Sequence, residues 1–182
     1  MLDNVWFTYK ARINAHHRLE WMEKHSQFLL IWYALLGAVL SVVMIRFPQI
    51  IGGNTDIWAT ILSVALLCVS IIVSNLDFRG RSIAMRKNYL ALQRLYSEIS
   101  LVPSASSDQR KEYIDLLSEV ENHKEIDDMA SRVAANLTLT TRKPTPIEFR
   151  KVRLWKLRRY LFIYFLYLAP LLLAWVNYDC IA

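Results

Sequence analysis

Residues 28–45 read FLLIWYALLGAVLSVVMI, and residues 57–76 read IWATILSVALLCVSIIVSNL. Neither stretch contains a charged side chain, and each is long enough for a helix to cross about 30 Å of hydrocarbon. Only a short loop, which contains Pro48, Gly52 and Gly53, separates them. The pattern therefore predicts a transmembrane helical hairpin over residues 27–76.

A third uncharged run, YLFIYFLYLAPLLLAWVNY, covers residues 160–178. Its tyrosines and Trp175 suit the headgroup boundary, where amphipathic rings are enriched. Pro170 lies inside the run, and a membrane helix tolerates proline when a neighbour pairs with the freed carbonyl. We therefore predict an all-α membrane protein that has an N-terminal hairpin, a cytoplasmic helical module and a C-terminal third transmembrane helix.

Basic residues crowd the ends of these runs. The chain is 54% hydrophobic with a formal net charge of +6. The flanking cations are Lys10, Arg12, Arg18 and Lys24; Arg79, Arg81, Arg86 and Lys87; and Arg150, Lys151, Arg153, Lys156, Arg158 and Arg159. The positive-inside rule then predicts a multi-pass membrane protein with the N-terminus and residues 77–159 in the cytoplasm and the C-terminus outside.

The segments outside the bilayer are short and suit a modest helical domain better than a large catalytic fold. Two cysteines cannot form a disulfide framework. The predicted organisation is a cytoplasmic juxtamembrane helix over 1–26, the hairpin over 27–76, a helical module over 77–146, a basic amphipathic lead-in over 147–159, and the third span over 160–178.

The module begins with an apolar face at helical spacing. This face, a candidate partner surface or core, consists of Met85, Tyr89, Leu92, Tyr96 and Ile99. A loop around Pro103 follows, and Ser107 or Asp108 is predicted to cap one long helix that reaches Val133. In the lead-in we expect Phe149, Val152 and Trp155 to dip into the lipid interface.

Polar side chains of the second span fall on one narrow face at 100° per residue. The predicted stripe consists of Thr60, Ser63, Ser70, Ser74, Asp77 and Arg81. Such hydroxyls can hydrogen-bond between packed helices, or they can line a water-filled path when several copies assemble. The sequence leaves both interpretations open.

Two polar groups could suggest chemistry. Residues 16 and 20 share a helix face, so His16, His17 and Glu20 hint at a metal, but no further ligands appear at recognisable spacing. A second trio, Glu121, Asn122 and His123, pairs a carboxylate with a histidine. No nucleophile motif accompanies this trio. We therefore predict no catalytic, cofactor or metal site and no enzyme.

The hairpin is followed by RSIAMRKNYLALQRLYSEI at 81–99 and LLSEVENHKEID at 116–127. This combination resembles the SLATT family, the SMODS and SLOG-associating two-transmembrane effectors of bacterial conflict systems, and above all the subfamily found beside reverse transcriptases. The matching positions are Arg81, Met85, Tyr89, Leu92, Leu95, Glu121, Asn122 and His123. The family name counts two spans, whereas this chain shows a third uncharged run.

The resemblance implies an antiphage effector acting through abortive infection. Its hairpins would assemble into a homo-oligomer that permeabilises the inner membrane when a reverse transcriptase or nucleotide-signal partner triggers it. The alternative is a membrane anchor that holds a cytoplasmic partner without opening a pore. Neither interpretation requires a small-molecule substrate, and both require the lipid bilayer.

Overall fold

The computed structural model describes residues 1–50 and 52–179, with side chains as far as Leu172. Its helices are α1 Leu2–Arg46, α2 Thr55–Asn75, α3 Phe78–Ser100, α4 Ser107–Glu119, α5 Glu125–Ala134 and α6 Pro146–Asp179. The described residues contain helices and no strand, which confirms the predicted all-α class.

The chain divides into two compact units. The helical unit contains Met1–Met22 and Phe78–Leu157. The hairpin unit contains Glu23–Asp77 together with α6 from Arg158 onward. The N-terminal segment, predicted as a separate juxtamembrane helix, therefore belongs to the same compact unit as the module that follows the hairpin.

Local sequence signals set the helix ends. α1 stops before Pro48, and Gly52 adopts a φ of 108° in the loop that follows, a conformation that glycine reaches without steric cost. Asp77 takes a φ of 41° between α2 and α3. Aspartate tolerates this left-handed region better than most residues, and its conformation ends the helical path of α2.

The predicted long helix from residue 107 to Val133 is two helices. Val120, which follows α4, has an extended backbone with φ −132° and ψ 163°, and α5 starts at Glu125. The cap of α4 is Ser106 rather than Ser107 or Asp108, because the Ser106 hydroxyl accepts from Gln109 N while the Gln109 side chain accepts from Ser106 N.

The core of the helical unit forms between the first part of α1 and one face of α3. One apolar cluster joins Val5 and Tyr9 of α1 to Leu92, Leu95 and Ile99 of α3. The sequence pattern identified the α3 side of this contact but not the α1 side.

A second apolar cluster lies further along the same two helices. It joins Ala15 and Leu19 of α1 to Phe78 and Met85 of α3. Tyr113 and Leu116 of α4 pack beside the first cluster. Apolar contacts between α1 and α3 therefore extend along much of the helical unit.

The first turns of α6 also serve this core, which corrects the predicted lipid-facing set. Val152 is 2% exposed and Trp155 is half-buried, so these side chains turn toward protein. Phe149, the third member of the predicted set, is exposed, as are Ile147, Leu154 and Leu157.

The hairpin unit leaves its apolar surface uncovered. Two helical stretches, Leu2–Arg46 and Thr55–Ser100, are long and apolar enough to cross a membrane. Each has an 18-residue window of mean hydropathy 2.5, none of which is buried within the chain. The third predicted span lies in α6, and its crossing of the bilayer stays a prediction. The C-terminal tail after residue 179 lies outside the described residues.

A neighbouring helix supplies a donor for the carbonyl that Pro170 leaves unpaired, as the sequence analysis expected. Pro170 lacks the N–H that would pair with the carbonyl of Leu166 in an α-helix. The Tyr33 hydroxyl of α1 donates to that carbonyl at 2.8 Å, and Trp32 Nε1 donates to the carbonyl of Tyr167 at 3.3 Å. Within the hairpin unit, α6 is thus fastened to α1 at the point where its own backbone pairing is interrupted.

Candidate functional site

Three hydroxyl groups of the predicted stripe donate to carbonyls of their own helix. Thr60 donates to the carbonyl of Asp56 at 2.8 Å, Ser63 to that of Ala59 at 2.9 Å, and Ser70 to that of Leu67 at 2.7 Å. Hydroxyls bonded in this way need no partner from another helix. These three residues can therefore face lipid, another copy or water without leaving a donor unpaired.

Most of the predicted stripe is open at the surface of the chain. Thr60, Ser63 and Ser74 are exposed, and Ser70 is half-buried. No neighbouring element of the described chain therefore covers this side of α2 completely. The geometry leaves both packing and conduction open as roles for these four residues.

The charged end of the predicted stripe, Asp77 and Arg81, is arranged differently. Because Asp77 interrupts the helix, the projection at 100° per residue does not extend from α2 to Arg81. Arg81 instead forms a bidentate ion pair with Glu121, with Nε–Oε1 at 2.9 Å and Nη2–Oε2 at 2.8 Å. This pair joins the two sequence motifs that carried the family resemblance, one at the start of α3 and one after α4.

The trio at 121–123 lies in the break between α4 and α5 rather than on a helix. Glu121 and Asn122 are exposed, whereas His123 is half-buried. His123 Nδ1 is buried and has no hydrogen-bond partner among the described residues. Burial lowers the pKa of His123, and the charge of Arg12 lowers it further against the opposing effect of Asp128.

Arg12, which the charge pattern assigned only to membrane topology, is fully buried. Its guanidinium donates to the carbonyls of Leu116 at 2.9 Å and Leu117 at 3.2 Å, and also to Asn88 Oδ1. These carbonyls belong to the last turn of α4, where helical acceptors lack partners and a cation is favoured. Asn88 Nδ2 completes the arrangement by donating to Leu116 O and Glu119 Oε2, both at 2.8 Å.

Arg18 is the second buried cation of α1. It holds Asp127 through Nε–Oδ1 at 2.9 Å and Nη2–Oδ2 at 3.0 Å, and the two side chains are 8% and 2% exposed. Asp127 Oδ2 also accepts from Lys124 N at 3.0 Å, at the start of α5. The first part of α1 therefore binds the end of α4 through Arg12 and the start of α5 through Arg18.

A weak sequence signal marked one of these cations. Val5, Arg12 and Leu19 follow one another at intervals of seven, so Arg12 occupies a core position of the α1 face. No comparable signal marks the partners Asn88 and Asp127, because the arginines that they bind lie 76 and 109 positions away in the sequence.

A third polar contact fastens α5 to the beginning of α6. Arg132 donates to Asp128 of its own helix and to Glu148 of α6. Glu148 also accepts from Thr145 N at 2.7 Å, at the cap of α6. The Arg132 hydrogen bond is the main cause of the lowered pKa of Glu148.

Together these contacts join α1, α3 and α6 to the part of the chain that contains α4 and α5. Most of the polar groups cap helix ends or pair with one another, whereas Arg12 Nε and His123 Nδ1 are buried without a hydrogen-bond partner among the described residues. Arg81, Arg12 and Arg18 all reach the segment from residue 116 to 127. This segment carries the second motif of the resemblance. A movement of the segment would therefore disturb contacts with both α1 and α3.

A family model for the SMODS and SLOG-associating 2TM effector domain family 5 matches residues 1–177. The chain belongs to this family. The match spans both units and confirms the resemblance at the level of the family. Domains of this family are two-transmembrane effector modules of defence systems, and the two long apolar helices suit a membrane protein of that kind. No curated protein and no solved structure matches the chain.

Proposed function

We propose that this effector domain assembles with further copies of itself and permeabilises the bacterial inner membrane when a partner triggers it. The observation that carries the proposal is the uncovered hairpin. Neither apolar window has a buried residue, so the contacts within the chain, including those of α6 with α1, leave every residue of these windows at least partly exposed. Lipid and other copies of the hairpin are the environments that can cover them.

The α2 hydroxyls support assembly into a path. Thr60, Ser63 and Ser70 donate to backbone carbonyls of α2 itself, so this helix can enter lipid in a single copy at a low free-energy cost. Their remaining lone pairs can then accept hydrogen bonds from water when several copies place this face toward a common axis.

The decisive experiment is induced expression with a membrane-potential dye. We expect depolarisation by the parent chain and weaker depolarisation by Ser70→Leu, because leucine removes the half-buried hydroxyl from the proposed path. Ser41→Leu is the matched control, since Ser41 of α1 bonds to its own backbone at Gly37 O in the same way. Membrane fractionation checks that each variant inserts.

Depolarisation by an inserted Ser70→Leu protein at the parental level would refute the proposed path. Equal losses in the Ser70→Leu and Ser41→Leu proteins would also contradict it, because they would indicate a general packing role for small side chains. A parent chain that stays silent when triggered would favour the second candidate, a membrane anchor. The folded helical unit supports that alternative, because a helical unit held together by buried polar contacts suits a docking module.

The proposal includes control by a reverse transcriptase or by a nucleotide-signal protein, with infection ending in the death of the host cell. The family resemblance supports this part. If the partner restrains the effector, co-expression of the neighbouring reverse transcriptase should suppress depolarisation, and infection should restore it. Unchanged depolarisation with and without the reverse transcriptase would contradict control by that protein.

The proposed orientation places the N-terminus in the cytoplasm and the C-terminus outside the inner membrane. Cys180 lies outside the described residues, while Cys68 is a free cysteine on α2. In spheroplasts an impermeant maleimide should label Cys180 and spare Cys68, which the bilayer would shield. Labelling of Cys180 only after permeabilisation would reverse the third span.

A further inference from the structure

A cluster of two imidazoles and one carboxylate lies on α1 within the helical unit. Potential ligand atoms of His16, His17 and Glu20 all lie within 4.8 Å of one another. His16 Nε2 is 4.0 Å and His17 Nδ1 is 3.7 Å from Glu20 Oε2. Two ligands of a tetrahedral zinc ion lie about 3.3 Å apart, given metal–ligand distances of about 2.0–2.1 Å. Small side-chain rotations would therefore bring the three atoms to coordinating positions.

Ser82 of α3 fixes which nitrogen of His16 faces the carboxylate. His16 Nδ1 lies 3.0 Å from the Ser82 carbonyl oxygen and 2.9 Å from its hydroxyl. A carbonyl oxygen can only accept, so a proton on Nδ1 would pair with it and leave the lone pair on Nε2, which lies 4.0 Å from Glu20 Oε2. Metal-binding histidines are oriented in this way, with the second nitrogen donating to a backbone carbonyl or a carboxylate.

Glu20 Oε2 is the atom that both imidazoles approach, His16 through Nε2 and His17 through Nδ1. Two imidazole nitrogens and one carboxylate suit a zinc-class ion better than Mg²⁺ or Ca²⁺, which prefer oxygen ligands.

We propose that His16 Nε2, His17 Nδ1 and Glu20 bind one divalent transition-metal ion of the zinc class. The site is open to solvent on one side, because the His17 side chain is 65% exposed and that of Glu20 is 41% exposed, whereas that of His16 is 12% exposed. Three protein ligands leave a fourth position for water or for a group from another molecule. The sequence analysis discounted a metal because no further ligands appear at recognisable spacing, and the contact from Ser82 adds an observation that the sequence does not contain.

The test is a Co²⁺ titration of the full chain in detergent, purified without a histidine tag and stripped with a chelator. We expect a visible absorption band that saturates at one ion per chain and disappears when Zn²⁺ displaces Co²⁺. Glu20→Gln and His17→Ala should abolish the band. Both positions are exposed enough for the folded structure to persist, which circular dichroism can verify.

His25→Gln is the matched control, because His25 of α1 lies near Tyr167 rather than in the cluster. It should bind Co²⁺ as the parent does. The proposal is overturned by the absence of a saturable band, by binding that survives Glu20→Gln, or by an equal loss in His25→Gln. An absent band would leave a protonated His16 paired with Glu20 as the explanation of the geometry.

Discussion

Replacing Arg18 by methionine should destabilise the helical unit strongly. Arg18 and Asp127 are almost entirely removed from solvent and are joined by two short contacts. Removal of one partner of such a buried pair leaves an uncompensated charge and costs about 3–5 kcal/mol. For a chain of this size, a loss of 1 kcal/mol lowers the melting temperature by roughly 2–4 °C. The expected drop is therefore about 6–20 °C.

Thermal melting of the detergent-solubilised chain, followed by tryptophan fluorescence, measures this drop. Arg94→Met is the control, because Arg94 pairs with Glu98 on an exposed helix surface where such pairs contribute little. Its melting temperature should match that of the parent. The double variant Arg18→Met with Asp127→Leu should recover part of the loss, because a pair of apolar side chains leaves no buried charge.

Two results would refute this reasoning. An Arg18→Met protein that melts within about 2 °C of the parent would show that the contact carries less than about 1 kcal/mol. A double variant that is no more stable than Arg18→Met alone would show that the loss comes from packing rather than from an unpaired Asp127.

Two further perturbations test other buried groups. Burial keeps the folded pKa of His123 below its unfolded value. The contribution of neutral His123 to folding stability is therefore fully present above about pH 6.5, and it is lost as the pH falls below that value, because the unfolded chain takes up a proton first. His123→Leu should make the melting temperature less dependent on pH between pH 7 and pH 5, and an unchanged slope would show that His123 does not carry this dependence. Tyr33→Phe should leave the carbonyl of Leu166 without its donor and cost about 0.6–1.7 kcal/mol, read as a lower melting temperature in detergent. A phenylalanine variant as stable as the parent would show that water or lipid headgroups satisfy that carbonyl equally well.

The sequence determined the membrane-spanning character of the hairpin and the helical class of the whole chain. Uncharged runs longer than a bilayer is thick admit few other structures, because an apolar helix of that length needs lipid or a large protein core around it. The buried face of α3 could be predicted for a related reason, because the spacing of Met85, Leu92 and Ile99 indicates a buried helix face whichever element packs against it. The helix boundary near Asp77 was harder to predict, because a single residue in the left-handed conformation leaves the hydropathy pattern unchanged.

Only the tertiary structure decided what the polar residues do. The same flanking charge that sets topology can also enter the core, and Arg12 and Arg18 do so because the break after α4 presents them with unpaired carbonyls and the Asp127 carboxylate. Ser82 likewise orients His16 from another helix, and the Tyr33 hydroxyl meets a carbonyl that Pro170 leaves free. Each of these contacts joins residues more than sixty positions apart. Periodicity within one segment carries no information about such partners, since their distance is set by how the helices pack.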